Sequence, residues 1–382
     1  MRELLLVALY AVSAYFIFWN GYDFFLSTCA LFVKKEVLNE SENTFFYVLI
    51  PAYKEGEILF NTVDAALRVD YPRDQIEIVL LAQELEEEVL SRLQKFPITI
   101  VRTGALGSKM KAVKNWISTK KFENECLFIL DADNIIKKNA LKICSSSLNH
   151  SDAVQLERKK SESLTSMGVL DRWNTAVGIA LSHHSRQVLG RSTFILGSGF
   201  AVKAQLYQSF VNDFKNSNVE DKAFDLYLIE QRKKLIYHRI PGVVDATVSG
   251  TKELSVQRSR WVGGRIEARN LFRKAHLKKP WSFELLDKHL HYSAPQRSIR
   301  LVGSALWLVL GLYFIHIHSA PWLHTLPMAL GALAYIFATP KSMFTIELFY
   351  AIAALPKSIL IIIKSRLNAK AAMLGSFNRT PK

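Results

Sequence analysis

The chain has 382 residues, 49% of them apolar, and its 49 Lys and Arg against 34 Asp and Glu give a formal net charge of +15. Three cysteines, Cys29, Cys126 and Cys144, without metal-ligand spacing exclude a disulfide framework and place the water-exposed part in a reducing compartment. The basic residues sit beside apolar runs and do not interleave with aromatic patches, so the charge points to a membrane surface and away from nucleic acid.

The first apolar run, Leu4 to Val33, is too long for the core of a cleaved signal, lacks a clear small-residue cleavage site and is followed at once by Lys34 and Lys35. This predicts a retained transmembrane helix over 1–33. A polar linker, KKEVLNESENT (34–44), comes next. Near-continuous apolar runs then recur: FFYVLIP (45–51), IEIVLLA (76–82), ITIV (98–101) and CLFILDA (126–132). They alternate with amphipathic stretches such as GEILFNTVDAALRV (56–69) and SKMKAVKNWIS (108–118). Buried strands alternating with helices predict an α/β domain with a doubly wound sheet over 45–253.

Ligands in such sheets bind beyond the carboxyl ends of the strands. The first strand runs into Pro51-Ala52-Tyr53-Lys54-Glu55 and the fourth into Asp131-Ala132-Asp133. Two carboxylates two residues apart at a strand end, completed by diphosphate oxygens, suit an octahedral Mg²⁺ or Mn²⁺. FILGSGFAVK (194–203) supplies Gly197, Ser198 and Gly199, small enough for backbone to approach a ligand. VEDKAFDLYL (219–228) puts Glu220 and Asp221 at a helix start, and LSVQRSRWVGG (254–264) gathers Gln257, Arg258, Arg260 and Trp261. Each motif alone also has a plain reading: a chance pair of aspartates, a glycine turn, acids complementing a helix dipole, a solvated basic helix face. His183 and His184 lack partners at ligand spacing and read as packing or surface residues, while Trp307 and Trp322 read as membrane-belt residues.

Residues 254–298, which hold QRSRW, are expected to form interfacial helices. Over 299–340, two further apolar stretches joined by a loop without Lys or Arg predict two transmembrane helices. A crossing by the next stretch, 341–370, would put Lys364, Arg366, Lys370, Arg379 and Lys382 outside and Pro356-Lys357 in mid-membrane. Re-entrant or interfacial helices are therefore expected there, with a further span as the alternative. A tail, 371–382, closes the chain.

The ordered set PAYKE, DAD, GSG, ED and QRSRW, between one N-terminal span and a C-terminal membrane region, resembles the membrane-bound, inverting family 2 glycosyltransferases, the GT-A enzymes that include cellulose, chitin and hyaluronan synthases. The resemblance covers the whole chain. It implies a GT-A (nucleotide-diphospho-sugar transferase) domain plus α-helical transmembrane segments. Tyr53 and Glu55 would line the nucleotide pocket, Asp131 and Lys111 would contact the nucleotide, and Asp133 would hold Mg²⁺ or Mn²⁺ on the diphosphate. Asp221, with Glu220 as its acidic partner, would be the general base that takes the acceptor hydroxyl proton. Gln257, Arg258 and Arg260 would face diphosphate and acceptor, and Trp261 would form a platform under the acceptor sugar. Where many relatives have an Asp that binds uracil, this chain offers Gln83, whose amide both donates and accepts.

The resemblance further implies a UDP-sugar donor and a growing extracellular or capsular polysaccharide as acceptor, elongated processively by a multi-pass protein of the inner (plasma) membrane with its catalytic domain cytosolic. The alternatives are single addition to a lipid-linked acceptor and a catalytically silent subunit of a polysaccharide export complex. The final FNRTPK resembles the FxVTxK gating segment of cellulose synthases at Phe377, Thr380 and Lys382, and departs from it at Arg379.

Overall fold

The computed structural model describes residues 2–34, 40–104, 106, 108–161, 165–213, 219–245, 251–314 and 321–352. Part of the linker (35–39), most of the segment expected over 341–370, and the tail with Phe377, Arg379, Thr380 and Lys382 lie outside the described residues. The described residues fall into two compact units, one formed by residues up to 34, 165–191 and 275–352, the other by 40–161 and 192–274.

The second unit is built on an eight-stranded mixed sheet. Its strands are β1 (Phe46–Tyr53), β2 (Ile76–Gln83), β3 (Thr99–Arg102), β4 (Cys126–Ile129), β5 (Asn134–Ile136), β6 (Ala153–Lys160), β7 (Phe200–Lys203) and β8 (Leu235–Asp245), in the order β3-β2-β1-β4-β7-β6-β8-β5. The four runs read from sequence are the parallel half, β3-β2-β1-β4. Side chains along these strands alternate between two cores. Val48, Ile50, Leu80 and Phe128 pack with Leu59, Val63, Leu90 and Leu141 on one face. Leu49, Val79, Leu81 and Leu127 pack with Val113, Trp116, Phe210 and Phe224 on the other. Helices therefore cover both faces, which is why these strands are apolar throughout. The other half, where β7 runs antiparallel to both β4 and β6 and β5 antiparallel to β8, makes the sheet mixed and departs from the simple doubly wound expectation.

The register sets the site. Tyr53 pairs with Gln83 at the carboxyl ends of β1 and β2, and Asn134, next to the aspartate pair, pairs with Asp245 on β8.

The first unit is helical, with helices Arg2–Ala30, Ser166–Ile179, Phe283–Ser293, Arg297–Phe314, Trp322–Ala338 and Ile346–Ile352. Its polar groups point inward. Asn20 Nδ2 donates to Ser304 Oγ at 2.9 Å and to the Pro327 carbonyl at 2.8 Å, and Arg300 pairs with Asp23. The fully buried Arg186 donates to both Asp287 oxygens, at 2.7 and 2.9 Å, and to Tyr22 Oη at 3.0 Å. Apolar side chains such as Leu4, Phe18, Phe25, Leu306 and Val309 point outward.

Among the described residues no helix is long and apolar enough to cross a membrane, so the expected spans over 1–33 and 299–340 find no support in the described helices. Trp322–Ala338 has 17 residues and an internal Pro327, short of the roughly 20 a bilayer core requires. Arg297–Phe314 opens with two arginines, and Arg2–Ala30 gives Asn20, Asp23 and Ser27 to buried polar positions. A hydropathy pattern counts apolar residues and cannot see these internal polar pairings.

Breaking one such pairing tests how the helical unit is held. Arg186→Met should cost about 3–5 kcal/mol, because Asp287 is left charged and unpaired, while Arg186→Met with Asp287→Leu should recover at least half of that loss. Thermal unfolding of the three proteins measures it.

Candidate active site

The segment 195–199, which contains the GSG motif, is fastened by side chains at nearly every backbone group. Asp225 Oδ1 accepts from the Ile195 N–H at 2.8 Å, and Lys222 Nζ donates to the Ile195 carbonyl at 2.7 Å. The fully buried Gln155 on β6 accepts from the Leu196 N–H at 2.8 Å and donates to the Ser198 and Gly199 carbonyls at 3.0 and 3.1 Å. Arg158 donates to the Leu196 carbonyl at 2.5 Å and Lys109 to that of Gly197 at 2.7 Å. Gly197 and Gly199 have φ of +80° and +67°, a region open mainly to glycine, and a Cβ on Gly199 would lie 2.7 Å from Val243. The glycines thus serve the tight path of the loop under its neighbours.

The loop carries the aspartate pair with it. Ser198 Oγ accepts the Asp131 N–H at 2.9 Å and donates to Asn134 Oδ1 at 2.6 Å. From the other core, the buried Thr62 donates to the Ala132 carbonyl at 2.8 Å. Lys109 Nζ reaches Asp131 Oδ1 at 2.5 Å, so one lysine joins the DAD and GSG segments. Asp133 Oδ1 accepts from Asn134 Nδ2 at 3.2 Å. Arg158 pairs with both oxygens of Asp245, at 3.1 and 2.9 Å. Burial opposes its charge, and Asp245, Asp131 and Asp133 outweigh that penalty.

At the ends of β1 and β2, Lys54 and Glu84 both have positive φ, 52° and 48°, and bridge each other at 3.0 Å. Two non-glycine residues in this sparsely populated region mark a place where the chain is held against its local preference. Between them lies Gln83, buried, its Nε2 3.4 Å from the Ser108 carbonyl and its Oε1 without a hydrogen-bond partner among the described residues. Tyr53 and Glu55 flank it on the β1 side.

Glu220 and Asp221 begin the helix Glu220–Glu230. Asp221 Oδ2 contacts Lys222 Nζ at 2.8 Å, and Gly197 passes so close that its Cβ would stand 3.6 Å from that oxygen. Lys109, Met110, Gly197, Tyr207, Glu220 and Asp221 line one cavity. Burial, followed by the neighbouring Asp221 charge, pushes Glu220 up to about 7, with Lys109 pulling the other way.

Several expected site residues converge here: Tyr53, Glu55 and Gln83 at the β1 and β2 ends, and Asp131 with Gly197, Ser198, Gly199, Glu220 and Asp221 around the loop. Lys111 does not join them. It is exposed on the helix Lys109–Ile117, and Lys109, two residues earlier in the same SKMK, faces Asp131 in its place. Trp261 lies half-exposed on the helix Thr251–Lys278 with Lys160 Nζ 5.9 Å from its ring centre. The side chains of Gln257, Arg258 and Arg260 lie outside the described part of the molecule. Sequence reading missed Gln155, Arg158, Asp245, Lys222 and Asp225. Their one trace was polarity inside apolar segments, as in DAVQLERKK.

Among the described residues no three His, Cys, Asp or Glu side chains are grouped to hold a metal ion. Asp131 and Asp133 offer hard carboxylate oxygens, so a divalent cation here would need ligand oxygens to complete its shell.

The model of a family described as "Glycosyltransferase like family 2" matches residues 43–264. No curated protein matches the sequence. Among solved structures, the mannosyltransferase PcManGT from Pyrobaculum calidifontis, in complex with GDP-Man and Mn²⁺, is 18% identical with a TM-score of 0.59 over 95% of this chain and 98% of that one, a likeness of fold. S. aureus TarS is 14% identical at a TM-score of 0.43, over 85% of this chain and 55% of that one. TarS 1–349 with UDP-GlcNAc is 13% identical at 0.40, over 86% and 92%.

The raised Glu220 carries a stability signature. With a folded value above the unfolded one, the native state binds more protons between the ordinary carboxylate range and about 7, so stability falls as pH rises through that window. Glu220→Gln, which mimics the protonated form, should therefore melt above wild type at about pH 8 and level with it at about pH 4.5. Equal melting differences at both values would contradict the assignment.

Proposed function

We propose a specific reaction for a chain that belongs to the glycosyltransferase like family 2 and is a nucleotide-sugar-dependent glycosyltransferase: inverting transfer of a sugar from UDP to a hydroxyl of a growing saccharide, at a membrane. One observation carries the reading. Lys109, which holds Asp131 and the GSG loop, lines the same cavity as Asp221, so a group for the donor diphosphate and a base for the acceptor share one space.

Asp221 takes the proton of the acceptor oxygen as that oxygen attacks the anomeric carbon and the bond to the diphosphate breaks. Its Oδ1 accepts the Lys222 N–H at 2.9 Å, which fixes the carboxylate rotamer. Glu220, raised by desolvation and by the Asp221 charge, is the acidic neighbour of that base. Lys109 stands where negative charge grows on the leaving diphosphate.

Charge balance supports a metal. With Glu220 neutral, the site presents Asp131, Asp133, Asp221 and Asp245 against Lys109, Arg158 and Lys222, a net negative charge before a diphosphate arrives. A diphosphate entering such a site requires additional positive charge. Asp133, with Asp131 beside it, would hold Mg²⁺ or Mn²⁺, and that ion supplies Lewis-acid stabilisation of the leaving group.

Gln83 supports uridine. Its unpartnered Oε1 suits the uracil N3–H and its Nε2 an adjacent uracil carbonyl, at the strand level where Tyr53 lies. Trp261 offers an accessible indole face for an acceptor sugar, and the QRSRW segment around it favours polymer elongation over single addition. A membrane location is supported by the helical unit, which buries Asn20, Asp23, Arg186 and Arg300 and exposes Leu4, Phe18, Leu306 and Val309, the reverse of the pattern water selects.

Asp221→Asn should lower transfer by about 10²–10⁴-fold while leaving UDP affinity near wild type, since only the base is lost. Calorimetric titration and product assay read the two effects separately. Incubation with donor alone, followed by chain-length analysis, should give polymer. Single addition would favour the lipid-linked acceptor. Gln83→Leu should weaken UDP binding about tenfold and erase discrimination between UDP and GDP, because the amide is the group that reads the base.

A further inference from the structure

Among the described residues the most exposed large apolar side chain of the second half of the chain is Trp281, at 93% accessibility, with Leu277 at 71% and Phe283 at 69% beside it in sequence. The backbone of this turn is hydrogen-bonded on both sides of Pro280. Lys279 N–H donates to the Ala275 and His276 carbonyls, Pro280 ends the preceding helix, and the Ser282 N–H donates to the Lys279 carbonyl. Ser282 Oγ then caps the next helix by accepting the Leu285 N–H at 3.4 Å. The opposite side of that helix is anchored through the buried Leu285, Lys288 and Tyr292. The three apolar groups are therefore presented outward by a rigid corner.

Their surroundings are basic. Lys278 and Lys279 are both exposed between Leu277 and Trp281, and the guanidinium of Arg191 lies 5.5 Å from the Phe283 ring centre, which brings the half-exposed Val188 and Leu189 of its turn to the same corner. The segment 275–282, AHLKKPWS, contains no acid. An indole and a phenyl ring ringed by lysines match the layer of a bilayer where acyl chains meet anionic headgroups: the rings partition below the phosphates and the ammonium groups stay among them.

We infer that the corner formed by Leu277, Trp281 and Phe283 with Lys278, Lys279 and Arg191 is a docking surface for an anionic lipid bilayer. The inference rests on the membrane location proposed above and adds a headgroup preference that an apolar helical unit alone does not confer.

The test uses the full chain purified in detergent and mixed with phosphatidylcholine vesicles, with or without phosphatidylglycerol, with flotation and fluorescence read together. Subtracting the emission of Trp281→Phe from that of wild type isolates Trp281 among the seven tryptophans. With phosphatidylglycerol present, that difference emission should be quenched by lipids brominated on their acyl chains and shielded from aqueous iodide. Lys278→Gln with Lys279→Gln should weaken binding to the anionic vesicles about fivefold for each lysine and leave binding to phosphatidylcholine unchanged. If the protein floats with vesicles but Trp281 is quenched by iodide as strongly as without them, the membrane location stands and the docking surface is refuted, as it also is if the lysine changes have no effect. A protein that floats with neither kind of vesicle would remove the membrane location itself and the inference with it.

Discussion

A single buried amide organises the catalytic end of the sheet. Gln155, inside β6, accepts at Oε1 from Leu196 and donates from Nε2 to Ser198 and Gly199, and so turns a glycine-containing loop into a fixed surface. Each such bond contributes only about 1 kcal/mol net, but an unmet one in this buried place would cost about 1–3 kcal/mol. The loop then holds two segments distant in sequence. Ser198 fixes Asp131 and Asn134, while Asp225 and Lys222 of the helix that begins at Glu220 grip Ile195. Asp131 and the helix that begins at Glu220 are thus tied to the same five residues.

Electrostatics follow from this arrangement. Cations and carboxylates are paired around the loop: Lys109 with Asp131, Arg158 with Asp245, Lys222 with Asp221. Each pair ties a side chain of the loop's surroundings to a fixed partner. Beside them Glu220 is raised to about 7 by desolvation and by the Asp221 charge, with Lys109 pulling the other way.

Much of this was legible in the sequence where period and position coincide. β1, β2, β3 and β4 follow from unbroken apolar runs, and DAD, GSG and ED fall where strand ends and helix starts would put them. What was not legible depended on three-dimensional pairing. Lys109 and Lys111 differ by two residues, which is about 200° around a helix, so only the orientation of Lys109–Ile117 on the sheet chooses between them. Gln155 and Arg158 look like ordinary polar interruptions in a strand until Leu196 is seen to need both. β5, β7 and β8 gave little signal because β5 and β7 are three and four residues long and β8 contains Pro241 and Gly242. In the helical unit the apolar runs are plain in the sequence, but the pairing of Asn20 with Ser304 and Pro327 and of Arg300 with Asp23 joins residues too far apart in the chain for any local pattern to show.

Ser198→Ala tests the coupling most directly, because it removes one hydroxyl without altering the backbone path and leaves every proposed catalytic group in place. Titration of UDP in the presence of Mg²⁺ should show affinity weakened about tenfold, as the buried Asp131 N–H loses its acceptor and the aspartate pair drifts, with only a small fall in melting temperature. Unchanged affinity in a folded protein would mean that the loop does not set the donor site, and the account built on it would fail.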